Sequence, residues 1–421
     1  MTQLPNFYGE DIVNARINYL DGEKTDFWGG ISTLVYGHVP NLFFRWQIWL
    51  AIFQIASAAY GLAKLFTARV VNKLHAIALV LIIYSSLLFA ASMTRDGLMF
   101  SLMLLGLAIL KLNINENKSK SKLLFPLTLI SIAMSFRPWL SIALLPAIAL
   151  ILSGNENKYG KKITATILLI LSLTPLAIEI SSSKLLHLQK SFPEQQVMIM
   201  DAAASYCYSN NESTNSRAYI LLNFFSTDKQ FGDYACSIFR ADTWLSLTRK
   251  NNLSDPAGSF WIIPAGDLAN YQIIKRSWIK LIILDPITYF QNKILFAGKI
   301  IVGSDSRNLS ILNANGIQEE IAAIYKLPFD LFISLHAFSV IAVFSYICIF
   351  LLWKKRSLRS NFIHIDKTLS SVSFSIFLWV SLSTIAYIGS NGRYVYSITL
   401  MTLILLMSKN QELDLDTYAK K

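Results

Sequence analysis

The sequence predicts an all-α polytopic membrane protein with about nine transmembrane helices and one large, mostly helical extracytoplasmic loop. Three observations carry that expectation. Only 15% of the 421 residues are charged while 53% are hydrophobic, whereas a soluble domain carries roughly a quarter charged residues. The apolar residues come in blocks without a polar stripe, as in Ile77 to Met93, so water suits no face of such a helix. The basic residues that give the net charge of +12 gather in short segments between those blocks, the pattern of cytoplasmic anchoring rather than of nucleic-acid binding.

The blocks run at 46–66, 74–93, 97–112, 123–136, 139–153, 163–180, 328–352, 369–388 and 394–408. The third, fourth, fifth and ninth are short for a full crossing, which is tolerated where neighbouring helices enclose them. The connecting segments alternate. Lys64, Arg69 and Lys73, then Lys118, Lys120 and Lys122, then Lys158, Lys161 and Lys162, then Lys354, Lys355, Arg356 and Arg359 form one set, expected in the cytoplasm. The other set carries isolated charges and is expected outside: Thr94 to Asp96, Phe136 to Pro138, the stretch 181–327, and Ser390 to Arg393. The organisation that follows is an acidic extracytoplasmic loop at 1–45, a first bundle at 46–180, a loop domain at 181–327, a second bundle at 328–408 and a cytoplasmic tail at 409–421. For residues 1–45 to lie outside, either the first span translocates them or a helix lies upstream of Met1. No internal repeats support an inverted-repeat transporter.

Candidate chemistry falls on the outer side. Glu10-Asp11 precedes the first span, followed by Lys24-Thr25-Asp26-Phe27-Trp28-Gly29-Gly30. An acid there suits a general base that deprotonates an acceptor hydroxyl; the competing reading is a solvated flank capping an interfacial helix. Arg95-Asp96 stands between two apolar blocks with almost no loop. Charges at membrane depth face a cavity or a partner, so either Arg95 binds a phosphate with its planar fork or the two form a mutually satisfied pair in a tight external turn. Arg137, in Ser135-Phe136-Arg137-Pro138-Trp139, is an isolated cation beside a proline break, fit for an anion or for snorkelling to headgroups. Asn391-Gly392-Arg393-Tyr394 brings a third arginine to the outer end of a span. Three arginines on different helices, all on one side, suit a pocket for a lipid-linked phosphate or diphosphate.

In the loop, Asp201 in Met200-Asp201-Ala202 is an acid among small apolar residues, either a second catalytic or acceptor-binding group or an ordinary helix cap. Trp278, Asp285-Pro286, Tyr289 and Lys293 belong to an amphipathic run expected in the membrane interface. Cys207 and Cys236 both fall in this loop and suggest a disulfide. There is no phosphate-cradling glycine loop, zinc-binding His-Glu-x-x-His or nucleophile elbow.

The order of these segments resembles the GT-C superfamily of bacterial membrane glycosyltransferases: the acidic external segment, Ser92-Met93-Thr94-Arg95-Asp96-Gly97, Phe136-Arg137-Pro138-Trp139, the long loop with Met200-Asp201 and Trp278 to Phe290, and Arg393-Tyr394. The resemblance implies a GT-C-like fold in the bacterial cytoplasmic membrane with its catalytic side outside. It implies an inverting transferase that moves a sugar from a polyprenyl-phosphate carrier to a cell-surface glycan, lipid or other acceptor. Asp11, with Glu10 as the alternative, would be the base. Arg95, Arg137 and Arg393 would hold the phosphate, with Asp96, Asp201 and Tyr394 beside the substrates. In that superfamily a helix ordinarily precedes the catalytic loop, and none precedes it here. No nucleotide cofactor is expected, because the lipid-phosphate bond carries the activation; the sequence leaves a divalent cation open. Membrane lipids are the remaining expected partners, with no nucleic acid. The competing functions are an O-antigen-type polymerase working on a lipid diphosphate, and a transporter or flippase of lipid-linked glycans. The near absence of ionisable residues at the span midplanes argues against coupled transport. A non-catalytic assembly partner is the remaining alternative.

Overall fold

The computed structural model describes residues 29–66 except 44, 95–116, 120–138, 142–153, 156–190, 192–225 except 193, and 268–302, with isolated positions at 16–20, 79–90, 235–239 and 374–382. Among the described residues the protein is helical and has no β-strand.

Three helices are long and apolar enough to cross a bilayer: Ile48–Leu65, Arg95–Ile114 and Thr164–Leu185. They belong to α1 (Trp46–Leu65), α2 (Arg95–Asn115) and α5 (Glu156–Leu185), with α3 (Leu124–Ser135) and α4 (Leu145–Ser153) between the last two. α2 is the axis of this group. Phe100, Met103, Leu104, Leu107 and Leu110 are all but inaccessible, because α1 packs on one side of it and α3 on another. α1 turns Leu50, Ala58, Leu62 and Leu65 inward at helical spacing and leaves Trp49, Ile52, Phe53 and Tyr60 exposed. The backbones of α1 and α2 nearly touch at Gly61, where an added Cβ would stand 2.8 Å from the Leu104 carbonyl carbon. Small residues permit that approach where lipid supplies no hydrophobic drive between helices. α5 is the opposite case. It exposes Leu169, Ile170, Leu173, Leu176 and Ile180, a surface stable against hydrocarbon and costly in water. Two hydroxyls on this stretch are satisfied within the helix: Ser172 Oγ donates to the Leu169 carbonyl at 2.7 Å, and Thr174 Oγ1 to that of Ile170, next to Pro175.

α3 and α4, with 12 and 9 residues, reach only about 18 and 14 Å at 1.5 Å per residue, short of a bilayer core. Both pack against α5, and Pro126, Ile130, Ala133 and Met134 of α3 are buried. α3 stops at Ser135, with Phe136 as its C-terminal cap, as expected two residues before Pro138. Of the block at 74–93, the eight described residues, from Leu79 to Ala90, are helical. The blocks at 328–352 and 394–408 and nearly all of 369–388 lie outside the described residues.

Among the described residues of the stretch 181–327, four helices pack together. α6 (Gln195–Tyr208) packs on α7 (Glu212–Phe225), α8 (Leu268–Leu284) and α9 (Pro286–Val302). Met198, Met200 and Ala202 meet Ala218, Leu222, Ile274, Leu281 and Phe296 in the buried core. Two of the helices are capped at their starts by side chains. Asn211 Oδ1 accepts the amides of Ser213 and Thr214 at 3.0 and 3.3 Å to start α7. Asp285 Oδ1 accepts that of Thr288 at 3.1 Å to start α9, with Pro286 at the first helical position. Ser209 Oγ donates to Asp285 Oδ2 and joins the α6–α7 corner to the α8–α9 corner. Partial burial pushes the Asp285 carboxyl up, but the hydrogen bonds from Ser209 and Thr288 outweigh it and hold the group below its ordinary range.

Cys207 and Cys236 are bonded, with their Cα atoms 5.3 Å apart. Closing 29 residues contributes about 3–4 kcal/mol to the domain in the chain-entropy description. Cys207→Ser is therefore expected to lower the denaturation midpoint of the loop domain while leaving the spanning bundle intact. Alkylation before and after reduction, read by mass, checks the bond. Labelling of both thiols in the unreduced protein would refute it.

Candidate functional site

Asp96 and Arg137 come together from 41 residues apart. Arg137 Nε donates to Asp96 Oδ1 at 3.0 Å and Nη2 to Oδ2 at 3.4 Å. A tight external turn was one of the two readings of Arg95-Asp96; the structure places both residues in the first turn of α2, where the helix dipole favours a carboxylate. Arg137 enters from just beyond the end of α3. Antiparallel packing of α2 and α3 accounts for the meeting, since the N-terminus of one lies beside the C-terminus of the other. The cluster is nearly dry. Asp96 is 1% and Arg95 8% exposed, and the Arg137 side chain 15%. A fork-to-carboxylate pair in such surroundings is strongly directional.

A second carboxylate organises the chain before the first span. Glu179, on α5, accepts the amides of Gly30, through Oε1, and of Ile31, through Oε2 at 3.1 Å. These amides open the short helical run Gly30–Ser32, whose unpaired donors want an anion. The seat needs its glycines. Gly29 has φ +87°, and a Cβ on Gly30 would collide with Ser182 and Ser183 of α5 at 2.4–2.6 Å. Further upstream, Arg16 donates to the Gly37 carbonyl and, at 2.8 Å, to Asn41 Oδ1. Tyr19 OH lies 2.6 Å from His38 Nδ1. Glu10 and Asp11 themselves, and Arg393 and Tyr394, lie outside the described residues.

Asp201 is not the helix cap that its sequence context suggested. It sits mid-helix in α6, 2% exposed. Lys293 of α9 places Nζ 3.1 Å from its Oδ1, and Trp278 of α8 donates Nε1–H to Oδ2 at 2.9 Å. Lys293 Nζ also stands 5.2 Å from the centre of the Tyr289 ring. Burial pulls the Lys293 ammonium down to about 8 despite the pull of Asp201 in the other direction. Tyr289 is pushed up to about 12 by burial and by the Asp201 charge. Trp278, Tyr289 and Lys293, expected at a membrane interface, thus turn toward the domain core instead.

The structure therefore brings Asp96 and Arg137 together, with Arg95 buried next to Asp96 in the chain, and Asp201 forms a separate cluster with Lys293 and Trp278. Sequence reasoning missed the Glu179 clamp and the Lys293 pairing. A carboxylate inside an apolar span was the available signal for the first. Among the described residues no three His, Cys, Asp or Glu side chains gather to hold a metal ion. No protein-family model matches the sequence, and neither a curated protein nor a solved structure is significantly similar to it.

Proposed function

We propose that the chain is an inverting membrane glycosyltransferase of the GT-C type, moving a sugar from a polyprenyl-phosphate carrier to a cell-surface acceptor on the outer side of the cytoplasmic membrane. The observation that supports this reading best is the Asp96–Arg137 pair, with the buried Arg95 next to it in the chain, at the start of α2. A carrier whose phosphate lies at headgroup depth needs cations built into helix ends rather than a nucleotide-binding fold. Basic-loop alternation assigns that end to the outside, and a disulfide in the loop domain fits an oxidising compartment. The Glu179 clamp anchors the segment that follows Asp11 to α5.

In the proposed reaction Asp11, with Glu10 as the alternative, takes the proton of the acceptor hydroxyl. The hydroxyl oxygen attacks the anomeric carbon as the bond from that carbon to the phosphate oxygen breaks. The phosphate leaves with the electron pair, and the arginines stabilise the charge that develops. One well-placed group of this kind contributes roughly 3 kcal/mol to the barrier.

The test is transfer of labelled sugar from polyprenyl-phosphate donors in membranes, with expression and fold controlled. Asp11→Asn is expected to cut turnover by about 10² or more while sparing donor affinity. Arg393→Ala is expected to weaken donor binding, with Arg393→Lys rescuing it in part because lysine lacks the planar fork. Use of a diphosphate-linked oligosaccharide instead would make the chain a polymerase. Full activity in both Asp11→Asn and Arg393→Ala would sink the proposal.

A further inference from the structure

α9 is built inside out. Its face toward the domain core carries Thr288, Asn292 and Lys293 beside Phe296, with Asn292 1% and Lys293 7% exposed. Its outer face carries Ile287, Phe290 and Ile294, which are 69%, 62% and 70% exposed. Pro286, Gln291, Leu295 and Gly298 complete that outer face. The spacing 287, 290, 294 and 298 is one helical stripe, and among the described side chains of α9 no charge falls on it. A helix in water places its lysine and asparagine outside and its isoleucines inside. The reversal is consistent with an outer face that does not meet water.

α8 continues the surface across the Asp285 corner. Ile273, Ile279, Ile283 and Leu284 are exposed there, and Lys275, Arg276 and Lys280 stand exposed among them. Three cations and no carboxylate share the described outward face of α8. Their long apolar stems allow the charged ends to reach headgroup depth while the isoleucines lie deeper. Charge and apolar area on one surface are the two contributions that hold a helix pair in a bilayer interface. The same chain carries helices fit to cross a bilayer, so a lipid surface is within reach of this domain.

We propose that α8 and α9 form a membrane-contacting face, with Ile287, Phe290 and Ile294 among the acyl chains near the bilayer surface and Lys275, Arg276 and Lys280 on anionic lipid headgroups. The contact turns the Asp201–Lys293 cluster toward the domain core and away from lipid, and it holds the loop domain on the membrane rather than free above it. It requires a membrane-embedded chain but no sugar transfer, so its failure and that of the proposed function are separable.

The experiment uses the full chain with Cys348→Ser and the native disulfide intact, carrying Phe290→Cys, Ile294→Cys or, as a control on exposed α7, Ser216→Cys. Each is labelled with an environment-sensitive fluorophore and reconstituted in phosphatidylcholine vesicles with or without phosphatidylglycerol. Labels at 290 and 294 are expected to lose emission to lipids bearing doxyl quenchers and to resist aqueous iodide, while the label at 216 does the reverse. Reversing Lys275, Arg276 and Lys280 to glutamate is expected to reduce the lipid quenching in phosphatidylglycerol vesicles and leave it unchanged in pure phosphatidylcholine. Iodide quenching at 290 and 294 would show a water-facing surface and overturn the proposal. Shielding from both quenchers would show a protein cover, from this chain or a second copy, and overturn it equally. Charge reversal without effect on anionic vesicles would overturn the assignment of anionic headgroups.

Discussion

Arg137→Ala is expected to destabilise the spanning bundle by about 3–5 kcal/mol, the range for removing one partner of a buried ion pair. The cost comes from what is left behind. Asp96, 1% exposed, would lose the fork that meets both its oxygens, and the favourable end of the α2 dipole returns only about 0.3–1 kcal/mol. Arg137→Lys keeps the charge but loses the two-point geometry and is expected to fall between the two. The decisive variant is the double Asp96→Asn, Arg137→Gln. It removes both charges and keeps groups that can hydrogen-bond, so most of the stability is expected to return. Thermal unfolding of the detergent-solubilised chain reads the first effect; an unchanged midpoint in Arg137→Ala would mean that the pair does not form in solution. Donor affinity in the double variant then separates two roles. If Arg137 only braces Asp96, stability and donor binding return together. If Arg137 also touches the donor phosphate, stability returns and affinity does not.

That pairing shows where sequence legibility ends. Part of the bundle was legible because a block such as 46–66 is apolar enough to cross a bilayer, and α1 duly spans Trp46–Leu65. The ends were less so. α5 runs from Glu156 to Leu185 rather than over 163–180, because backbone hydrogen bonding continues through polar residues that an apolar count excludes. Arg95 and Asp96 looked like a turn for the same reason. The partner of Asp96 was unreadable, since a contact 41 residues away depends on how two helices are rotated against each other. The disulfide was legible because two of the three cysteines share one loop. α8 and α9 were legible as amphipathic, but periodicity tells that a helix has two faces, not which one is covered. That pattern puts Trp278, Tyr289 and Lys293 on the membrane side, and Asp201, 92 positions before Lys293 in the chain, is what draws Trp278 and Lys293 inward.

Burial of Lys293, only partly offset by its pairing with Asp201, is expected to give the loop domain a stability that rises with pH. Lys293 titrates near 8 in the folded chain against 10.5 for the free side chain. Between those values the unfolded chain holds more protons than the folded one, so unfolding free energy increases with pH, by at most about 1.4 kcal/mol per unit. Below about pH 8 the lysine is protonated in both states and the slope vanishes. Above about pH 10 the sign turns. Tyr289 is held up to about 12 by burial and the Asp201 charge, and Tyr271 to about 12 by burial and its hydrogen bond with Glu194. The unfolded chain then loses phenolic protons first, which lowers stability. Hydrogen exchange of α6 and α9 amides at matched intrinsic rates, from pH 7 to beyond 10, reads the curve. Lys293→Met is expected to abolish the rise between about 8 and 10 and to destabilise the domain by about 3–5 kcal/mol, because Asp201 remains buried without its cation. Asp201→Asn with Lys293→Met leaves neither charge. It is expected to recover the stability at neutral pH, since well-packed neutral groups replace buried ion pairs at little or no cost, and to show no rise. A rise that persists in the double variant would place the titrating group elsewhere and refute the role of Lys293.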